Sequence, residues 1–278
     1  MRHEVDMKPV IFTDLDGTLL DNNYSYKGAL PVIKRIKDEA IPLIPVTSKT
    51  RAEVESLRQK LGVNDPFITE NGGGVFIPDG AFPFPVKGEE SGRMRLIRLG
   101  APYEKLKDAL REIREKTGFH MTGFADLTPE EISERTGLPL EDARLSKARD
   151  FDEPFFLDSG SLEEVRAMAD SAGLTVTRAK ILHLTGDNDK GRAVEILKTL
   201  YRAHYGKAVF IGLGNAENDI PLLKSVDYPV LVRNEDGRYE PVDGIPSLIK
   251  ADGIGPDGWA KALTGILDSI KASEGYTC

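Results

Sequence analysis

The chain has 278 residues, with 37 Lys and Arg against 45 Asp and Glu, and its formal net charge is −8 with neutral histidines. An acidic balance argues against general binding of nucleic acid or of anionic membranes, because both need a basic surface. The only cysteine, Cys278, allows neither an intramolecular disulfide nor a Cys-based zinc site. No apolar run approaches the ~20 residues of a membrane span, and the first four residues lack a signal-peptide pattern. We therefore expect a cytoplasmic protein.

The first part of the chain alternates short apolar runs with helical patterns. Residues 9–13 and 41–46 have the continuous apolar character of strands buried on both faces, and 67–69 is predicted as a third strand. Helical patterns separate these strands, one of them over 51–61. A series of this kind predicts an α/β protein with a doubly wound, mostly parallel sheet.

The pattern changes after residue 84. Residues 85–185 are richer in charge, and they combine helical patterns with strand-like runs, which predicts an inserted α+β module with an antiparallel sheet. Patterns of the α/β type then resume. We predict a discontinuous core formed by residues 1–84 and 186–278, with residues 85–185 inserted as a cap.

The most specific motif is the run 14–18 (DLDGT), which directly follows the first predicted strand. Ligands of open α/β sheets bind at the carboxyl ends of strands. Asp14 and Asp16 are two residues apart, so an extended backbone turns both carboxylates the same way. An EF-hand calcium loop is excluded, because Leu19 and Ser25 occupy the positions that need Gly and Glu. A plain turn held by aspartate side chains is the alternative.

Three weaker motifs follow in chain order. Thr47 and Ser48 end the second predicted strand, Lys190 begins a helix after the insert, and the run 212–219 (GLGNAEND) ends a later strand. Each alone is also explained by a helix cap or a surface charge. The last run is not a dinucleotide fingerprint, since Glu217 stands where the third glycine is needed. Together, at successive strand ends, the motifs predict one site.

These four motifs in this order resemble those of the haloacid-dehalogenase superfamily of phosphotransferases. An insert between the second and third motifs resembles the α+β cap of that superfamily's sugar-phosphatase branch. The runs 47–53 (TSKTRAE), 123–128 (GFADLT) and 153–155 (EPF) are similar to those of the mannosyl-3-phosphoglycerate phosphatases. The resemblance spans nearly the whole chain.

The resemblance implies roles for the matching residues. Asp14 is expected to be the nucleophile that attacks phosphorus, and Asp16 the acid that protonates the leaving oxygen and then the base that activates water. Thr47, Ser48 and Lys190 are expected to bind the phosphate. Such chemistry needs positive charge, because a carboxylate and a phosphate repel each other by about 4 kcal/mol per unit charge pair at 4 Å with a dielectric of 20.

The implied cofactor is Mg²⁺, and its expected ligands are Asp14, Asp16, Asn215 and Asp219. Asn215 departs from the family pattern, which has Asp at this position. An asparagine oxygen can ligate Mg²⁺ without adding negative charge. Either Asp219 takes over direct ligation, or the site binds the metal more weakly.

The cap is expected to select the substrate. Arg144, Lys147 and Arg149 form a basic run that could grip a glycerate carboxylate, although a solvated helix face explains it equally well. His183 is either a substrate contact or a structural histidine. Candidate contacts from the core are Glu70 and Asn71, whose alternative is an ordinary turn.

The function that the resemblance implies is Mg²⁺-dependent hydrolysis of mannosyl-3-phosphoglycerate to mannosylglycerate through an aspartyl phosphate. The substrate is a small phosphorylated sugar-glycerate, with no nucleic acid or membrane as partner. Alternatives are a phosphatase of glucosyl-3-phosphoglycerate or another sugar phosphate, and a phosphomutase. A non-catalytic sugar-phosphate sensor is the alternative from a different class. The sequence leaves the oligomeric state open.

Overall fold

A computed structural model describes residues 7–275 of the chain. Cys278 and the first four residues, on which the redox and targeting expectations rest, lie outside this range. None of the helices in this range combines the length and the apolar content that a membrane span requires. The strands are β1 Lys8–Thr13, β2 Leu43–Pro45, β3 Phe67–Thr69, β4 Gly74–Pro78, β5 Glu89–Glu90, β6 Met94–Arg98, β7 His120–Gly123, β8 Asp152–Ser159, β9 Thr175–Arg178, β10 Leu182–Thr185, β11 Ala208–Gly214, β12 Tyr228–Arg233 and β13 Ile249–Ile254. The helices are α1 Leu30–Asp38, α2 Arg51–Leu61, α3 Tyr103–Thr117, α4 Pro129–Thr136, α5 Leu140–Leu145, α6 Leu162–Ser171, α7 Lys190–Tyr205, α8 Ile220–Lys224 and α9 Gly255–Gly275.

A parallel sheet of order β13-β12-β11-β1-β2 forms the centre of the molecule. Side chains of β1 alternate between two apolar clusters. Ile11 packs in the cluster that contains Trp259 of α9, whereas Phe12 packs in the cluster that contains Leu197 of α7. Helices thus cover both faces, which is why β1 has no polar alternation. The predicted doubly wound α/β core is confirmed.

The inserted residues form an antiparallel sheet of order β7-β8-β10-β9. Leu110 of α3 and Val165 of α6 pack with Phe155 of β8 in a third apolar cluster, and α4 contributes Ile132 to a fourth. This arrangement of helices on an antiparallel sheet is the predicted α+β architecture.

A third sheet of order β3-β4-β6-β5 crosses the predicted boundary between residues 84 and 85. β3, expected in the parallel sheet, pairs antiparallel with β4 and meets the central sheet only through the bridge between Val46 and Ile68. The chain reverses at the glycines 72–74, where Gly72 has φ +87°. The division of the chain into core and cap at 84/85 and 185/186 stays a prediction.

Candidate active site

The aspartate loop lies at the carboxyl end of the central sheet. Asp14 directly follows β1, and Asp16 precedes Gly17, whose φ of +79° favours glycine. A Cβ on Gly17 would also lie 2.5 Å from the Asn215 side chain, so the close approach of the two loops requires glycine. Asp14, Asp16 and Asn215 line a cavity of about 330 Å³, whose other walls come both from neighbouring loops of the parallel sheet and from the inserted residues.

Lys190 lies between two carboxylates. Its Nζ is fully buried and donates to Asp14 Oδ1 at 2.6 Å and to Asp219 Oδ1. Burial, followed by repulsion from Asp219, raises the pKa of Asp14 to about 7, and the Lys190 ammonium opposes both effects. Burial lowers the pKa of Lys190, but its two carboxylate partners outweigh burial and raise it. Lys190 is therefore a charged ammonium that contacts the Asp14 carboxylate.

Asp16 is paired on one side only. Its Oδ2 lies 3.1 Å from Lys49 Nζ, which also contacts Glu53 Oε1 at 3.2 Å. Burial lowers the pKa of Lys49, but the nearby carboxylates of Asp16 and Glu53 raise it by more than burial lowers it. This lysine is therefore charged. Asp16 Oδ1 is buried and has no hydrogen-bond partner among the described residues. This oxygen is available to exchange a proton with a molecule in the cavity.

Thr47 and Ser48 lie just beyond β2 at the same edge of the sheet. Thr47 Oγ1 is buried and accepts a hydrogen bond from Lys49 N at 3.1 Å, which leaves its hydroxyl proton for another acceptor. Ser48 lines the cavity, and its carbonyl accepts from Arg149 Nη1 at 3.0 Å. Ser48 therefore shares the cavity with the aspartate loop, whereas Thr47 is not among the cavity-lining residues of the described chain.

Three of the expected metal-binding groups lie close together. One terminal atom of the Asn215 amide lies 3.1 Å from the Asp16 backbone oxygen and 3.3 Å from Asp14 Oδ2. Neighbouring oxygens in a Mg²⁺ octahedron with 2.0–2.1 Å bonds are about 3 Å apart, so both distances match that spacing when the amide oxygen faces these two atoms. When the amide nitrogen faces them, it donates to the same oxygens. In one orientation the Asn215 amide could thus contribute an oxygen ligand to Mg²⁺, and in the other it links Asp14 and the Asp16 backbone by hydrogen bonds.

Asp219 is committed to other partners. Its Oδ1 accepts from Lys190, and its Oδ2 accepts from the backbone N–H groups of Asn215 and Ala216 at 2.8 and 3.0 Å. Direct ligation of a metal by Asp219 would compete with these contacts. Within residues 7–275, no group of three or more His, Cys, Asp or Glu side chains is arranged to hold a metal ion.

Arg149 and His183 are the two predicted cap contacts that line the cavity. Arg149 is buried, and its Nε and Nη1 donate to the carbonyls of Ser146 and Ser48 at 2.9 and 3.0 Å. His183 is also buried, and its Nδ1 lies 3.0 Å from both carboxylate oxygens of Asp152. A cationic guanidinium and a fixed imidazole therefore face the same space as the aspartate loop.

The structure does not bring Arg144 and Lys147 to the cavity. Arg144 is exposed and pairs with Glu141, three residues earlier on the same helix. Lys147 Nζ donates to the carbonyls of Phe124 and Leu127, so it stabilises the turn between β7 and α4. Only the third cation of the predicted basic run, Arg149, faces inward.

Glu70 and Asn71 are buried behind the cavity wall. Both have positive φ, +49° and +55°, which strains residues other than glycine. The Glu70 carboxylate accepts from the N–H groups of Asp150 and Phe151, and Asn71 Nδ2 donates to Asp152 Oδ2 at 2.7 Å. These residues connect the core to the start of β8 and do not line the cavity within the described chain.

Comparison with known proteins identifies the family. The chain is 44% identical to the glucosyl-3-phosphoglycerate/mannosyl-3-phosphoglycerate phosphatase of Methanococcoides burtonii. The match covers 94% of this chain and 98% of that protein. The chain belongs to this phosphatase family. The relative of the same name from Persephonella marina is 42% identical over 94% of this chain and 98% of its own length. Residues 11–81 match the family model of haloacid dehalogenase-like hydrolases.

Solved structures give the same fold. A haloalkanoate-superfamily phosphatase from Bacteroides thetaiotaomicron superimposes with a TM-score of 0.63 and 17% identity, covering 98% of this chain and 97% of its own. The predicted membership of the haloacid-dehalogenase superfamily is confirmed, and the chain is a phosphatase that acts on phosphate monoesters.

Several residues of this family member's cavity were not singled out from the sequence. Tyr24, Lys49 and Lys180 line it, and Asp152 stands behind it. Lys49 had a signal, since it directly follows two hydroxyl residues of the second motif. The others had none, because Lys180 lies in the turn between β9 and β10, and its contact with the Tyr24 hydroxyl joins residues 156 positions apart.

Proposed function

We propose that the chain hydrolyses mannosyl-3-phosphoglycerate to mannosylglycerate and inorganic phosphate. The observation that carries this proposal is one cavity shared by Asp14 and Asp16 on one side and Arg149 and His183 on the other. A phosphate ester of glycerate has an anionic phosphate and an anionic carboxylate a few bonds apart. The names of the relatives support the same substrate class.

Asp14 is the proposed nucleophile. Its Oδ1 accepts a hydrogen bond from Lys190 Nζ at 2.6 Å, which orients this oxygen for attack on phosphorus, whereas Oδ2 lies 3.3 Å from the Asn215 amide. The Lys190 ammonium offsets the repulsion between the carboxylate and the phosphate, and the Thr47 hydroxyl donates to a phosphate oxygen. The bond between phosphorus and the glycerate oxygen breaks as the Asp14–phosphorus bond forms, giving an aspartyl phosphate.

Asp16 supplies and then removes a proton. Its unpaired Oδ1 protonates the departing glycerate oxygen, and the resulting carboxylate then takes a proton from the water that attacks the aspartyl phosphate. Lys49 at 3.1 Å stabilises this carboxylate once the proton has left.

We propose Mg²⁺ as the cofactor, held by Asp14 Oδ2, the Asp16 backbone oxygen and the Asn215 side-chain oxygen. A bound divalent ion neutralises charge on the phosphate and orients it for in-line attack. Asp219 acts through its hydrogen bonds to the loop that carries Asn215.

We also propose that residues 85–185 act as the cap that selects the substrate, and that the enzyme works in the cytoplasm.

Glucosyl-3-phosphoglycerate is the second candidate substrate, because the relatives at 44% and 42% identity are named for both esters. The two substrates differ only in the configuration of one sugar hydroxyl. The apolar wall of the cavity near Phe124 and Ile181 therefore discriminates only weakly between the two sugars. We expect the enzyme to accept both esters.

Phosphate release from both glycosyl esters and from simple hexose phosphates tests this proposal, with Mg²⁺ and with EDTA. The proposal predicts Mg²⁺-dependent release from the glycosyl esters that exceeds release from hexose phosphates at least tenfold in kcat/KM. Comparable rates on hexose phosphates would keep the phosphatase and contradict the substrate. Binding of the esters without release would indicate a sensor, and stable beryllofluoride labelling of Asp14 would exclude that outcome.

A further inference from the structure

One carboxylate behind the substrate side of the cavity has no role in the chemistry described so far. Asp152 is the first residue of β8, and it is fully buried. It is not among the cavity-lining residues of the described chain, yet it contacts two residues that are, Arg149 and His183. A buried charge of this kind is costly unless hydrogen bonds and opposite charges satisfy it, so the partners of Asp152 indicate what it does.

The geometry fixes the proton on His183. Both Asp152 oxygens lie 3.0 Å from His183 Nδ1. A carboxylate only accepts hydrogen bonds, so Nδ1 carries a proton, and Nε2 is the nitrogen left for a molecule in the cavity. The same carboxylate lies 3.7 Å from Arg149 Nη1 and limits where the guanidinium can lie.

Arg149 is left with one free guanidinium nitrogen. Its Nε and Nη1 donate to backbone carbonyls, whereas Nη2 makes no hydrogen bond with any described residue. A charged N–H donor of this kind binds an oxyanion such as a carboxylate. The substrate of the proposed function has a carboxylate on the glycerate, close to the phosphate that Asp14 attacks.

Asp152 also connects these side chains to the catalytic loops. Asn71 Nδ2 donates to Asp152 Oδ2 at 2.7 Å, and Asn71 Oδ1 accepts from Asn218 Nδ2 at 2.9 Å. Asn218 belongs to the run that carries Asn215. Two hydrogen bonds therefore connect Asp152, and through it Arg149 and His183, to the loop that carries Asn215.

We propose that Asp152 is a positioning residue that aligns Arg149 and His183 to receive the glycerate carboxylate of the substrate. The inference rests on the proposed function for the identity of that carboxylate. It assigns substrate selectivity to a residue that touches no substrate. Removing its charge should therefore weaken binding of carboxylate-bearing esters far more than it affects the turnover of esters that lack a carboxylate.

The test compares D152N with E153Q. Glu153 is the next residue of β8, is equally buried, and borders a different cleft on the opposite face of the strand. We expect D152N to raise KM for the glycosyl-3-phosphoglycerates at least tenfold. Its kcat/KM for p-nitrophenyl phosphate, a monoester without a carboxylate, should fall by a much smaller factor than its kcat/KM for the glycosyl esters. E153Q should show no such difference between the two substrates.

Equal losses on both substrates in D152N, or an unchanged KM for the glycosyl esters, would overturn the proposal. If D152N does not fold, D152E moves the charge by one methylene, and the same selective rise in KM is expected.

A ¹⁵N NMR measurement on His183, assigned with H183Q, separates this proposal from the proposed function. Wild type should show a protonated Nδ1, and D152N should shift that proton toward Nε2. Identical ¹⁵N shifts in the two proteins would contradict the role of Asp152. Activity on p-nitrophenyl phosphate without activity on either glycosyl ester would instead contradict the substrate assignment.

Discussion

At the scale of single residues, the site depends on one ammonium between two carboxylates. Lys190 holds Asp14 on one side and Asp219 on the other, and all three side chains are buried. Removing the charge of Lys190 leaves two carboxylates uncompensated at low dielectric. A buried ion pair that loses one partner costs about 3–5 kcal/mol of stability.

We expect Lys190→Met to lower kcat by about 10²–10³, the loss typical of a missing electrostatic contact to the transition state. The variant should also unfold about 3–5 kcal/mol more easily, as urea denaturation measures. Lys198→Met is the control, since Lys198 is a buried lysine two turns later in α7 that pairs with Glu195. A kcat for Lys190→Met within twofold of the control would contradict the role of Lys190.

Asn215 sets the charge of the proposed metal site. Asn215→Asp adds a negative charge to a site whose other side-chain ligand is Asp14, so Mg²⁺ should bind about tenfold more tightly. A Mg²⁺ titration followed by thermal unfolding measures this without substrate. The Mg²⁺-dependent rise in Tm should reach half its maximum at a lower Mg²⁺ concentration. An unchanged midpoint would mean that residue 215 does not face the ion.

At the scale of elements, the turn between β3 and β4 links core and cap. Glu70 and Asn71 keep strained left-handed conformations because their side chains bond to residues 150–152. Burial raises the pKa of Glu70 to about 8, although the Arg149 guanidinium opposes the shift. The protonated form is thus favoured in the folded state.

The sign of this shift predicts a pH dependence of stability. Because the folded pKa is above the unfolded value near 4.5, folding binds a proton, and this contribution is complete below pH 4.5 and lost as pH rises toward 8. We expect wild type to lose more unfolding free energy than Glu70→Gln between about pH 5 and 8. Urea denaturation across that range measures the difference. Parallel curves for the two proteins would contradict the shifted pKa.

A second link joins the cap helix α6 to the acidic loop. Arg166 Nη2 donates to both Glu217 oxygens at 2.6 and 2.9 Å, and both side chains are about one-third exposed. Such a pair contributes little to stability, about 0–1 kcal/mol. Its effect should be on the position of the cap.

We expect Arg166→Met to raise KM for the glycosyl esters two- to fivefold, with kcat little changed and Tm within 2 °C of wild type, as initial rates and calorimetry measure. The matched control is Arg111→Met, because Arg111 is an exposed arginine of the same module that pairs only locally with Asp108. The same KM for both variants would exclude a role of this contact in substrate binding.

At the scale of the whole molecule, the sequence predicts the parallel core well, because β1 and β11 are apolar on both faces and their motifs fall at strand ends. It does not predict β6 or β13, because Arg95 in β6 and Asp252 in β13 interrupt the apolar runs by which buried strands are recognised. β3 leaves the parallel sheet because the glycines that follow it reverse the chain.

The same limit applies to the site. Asp14, Asp16 and Lys190 sit at strand or helix ends, where topology alone brings them together. Arg144 and Arg149 cannot be told apart by spacing, because only the packing of the turn after α5 decides which one faces inward. Asp152 is recognisable only through its contacts with His183 and Asn71, which are distant in sequence.

The central claim is that Asp14 takes the phosphoryl group from a glycosyl-3-phosphoglycerate. A rapid-quench measurement with substrate radiolabelled at the phosphoryl group tests it most directly. We predict protein-bound label within the first turnover in the presence of Mg²⁺, recovered on the peptide that contains Asp14 and absent from Asp14→Asn. Release of labelled phosphate with no protein-bound label, or label on another residue, would contradict the account.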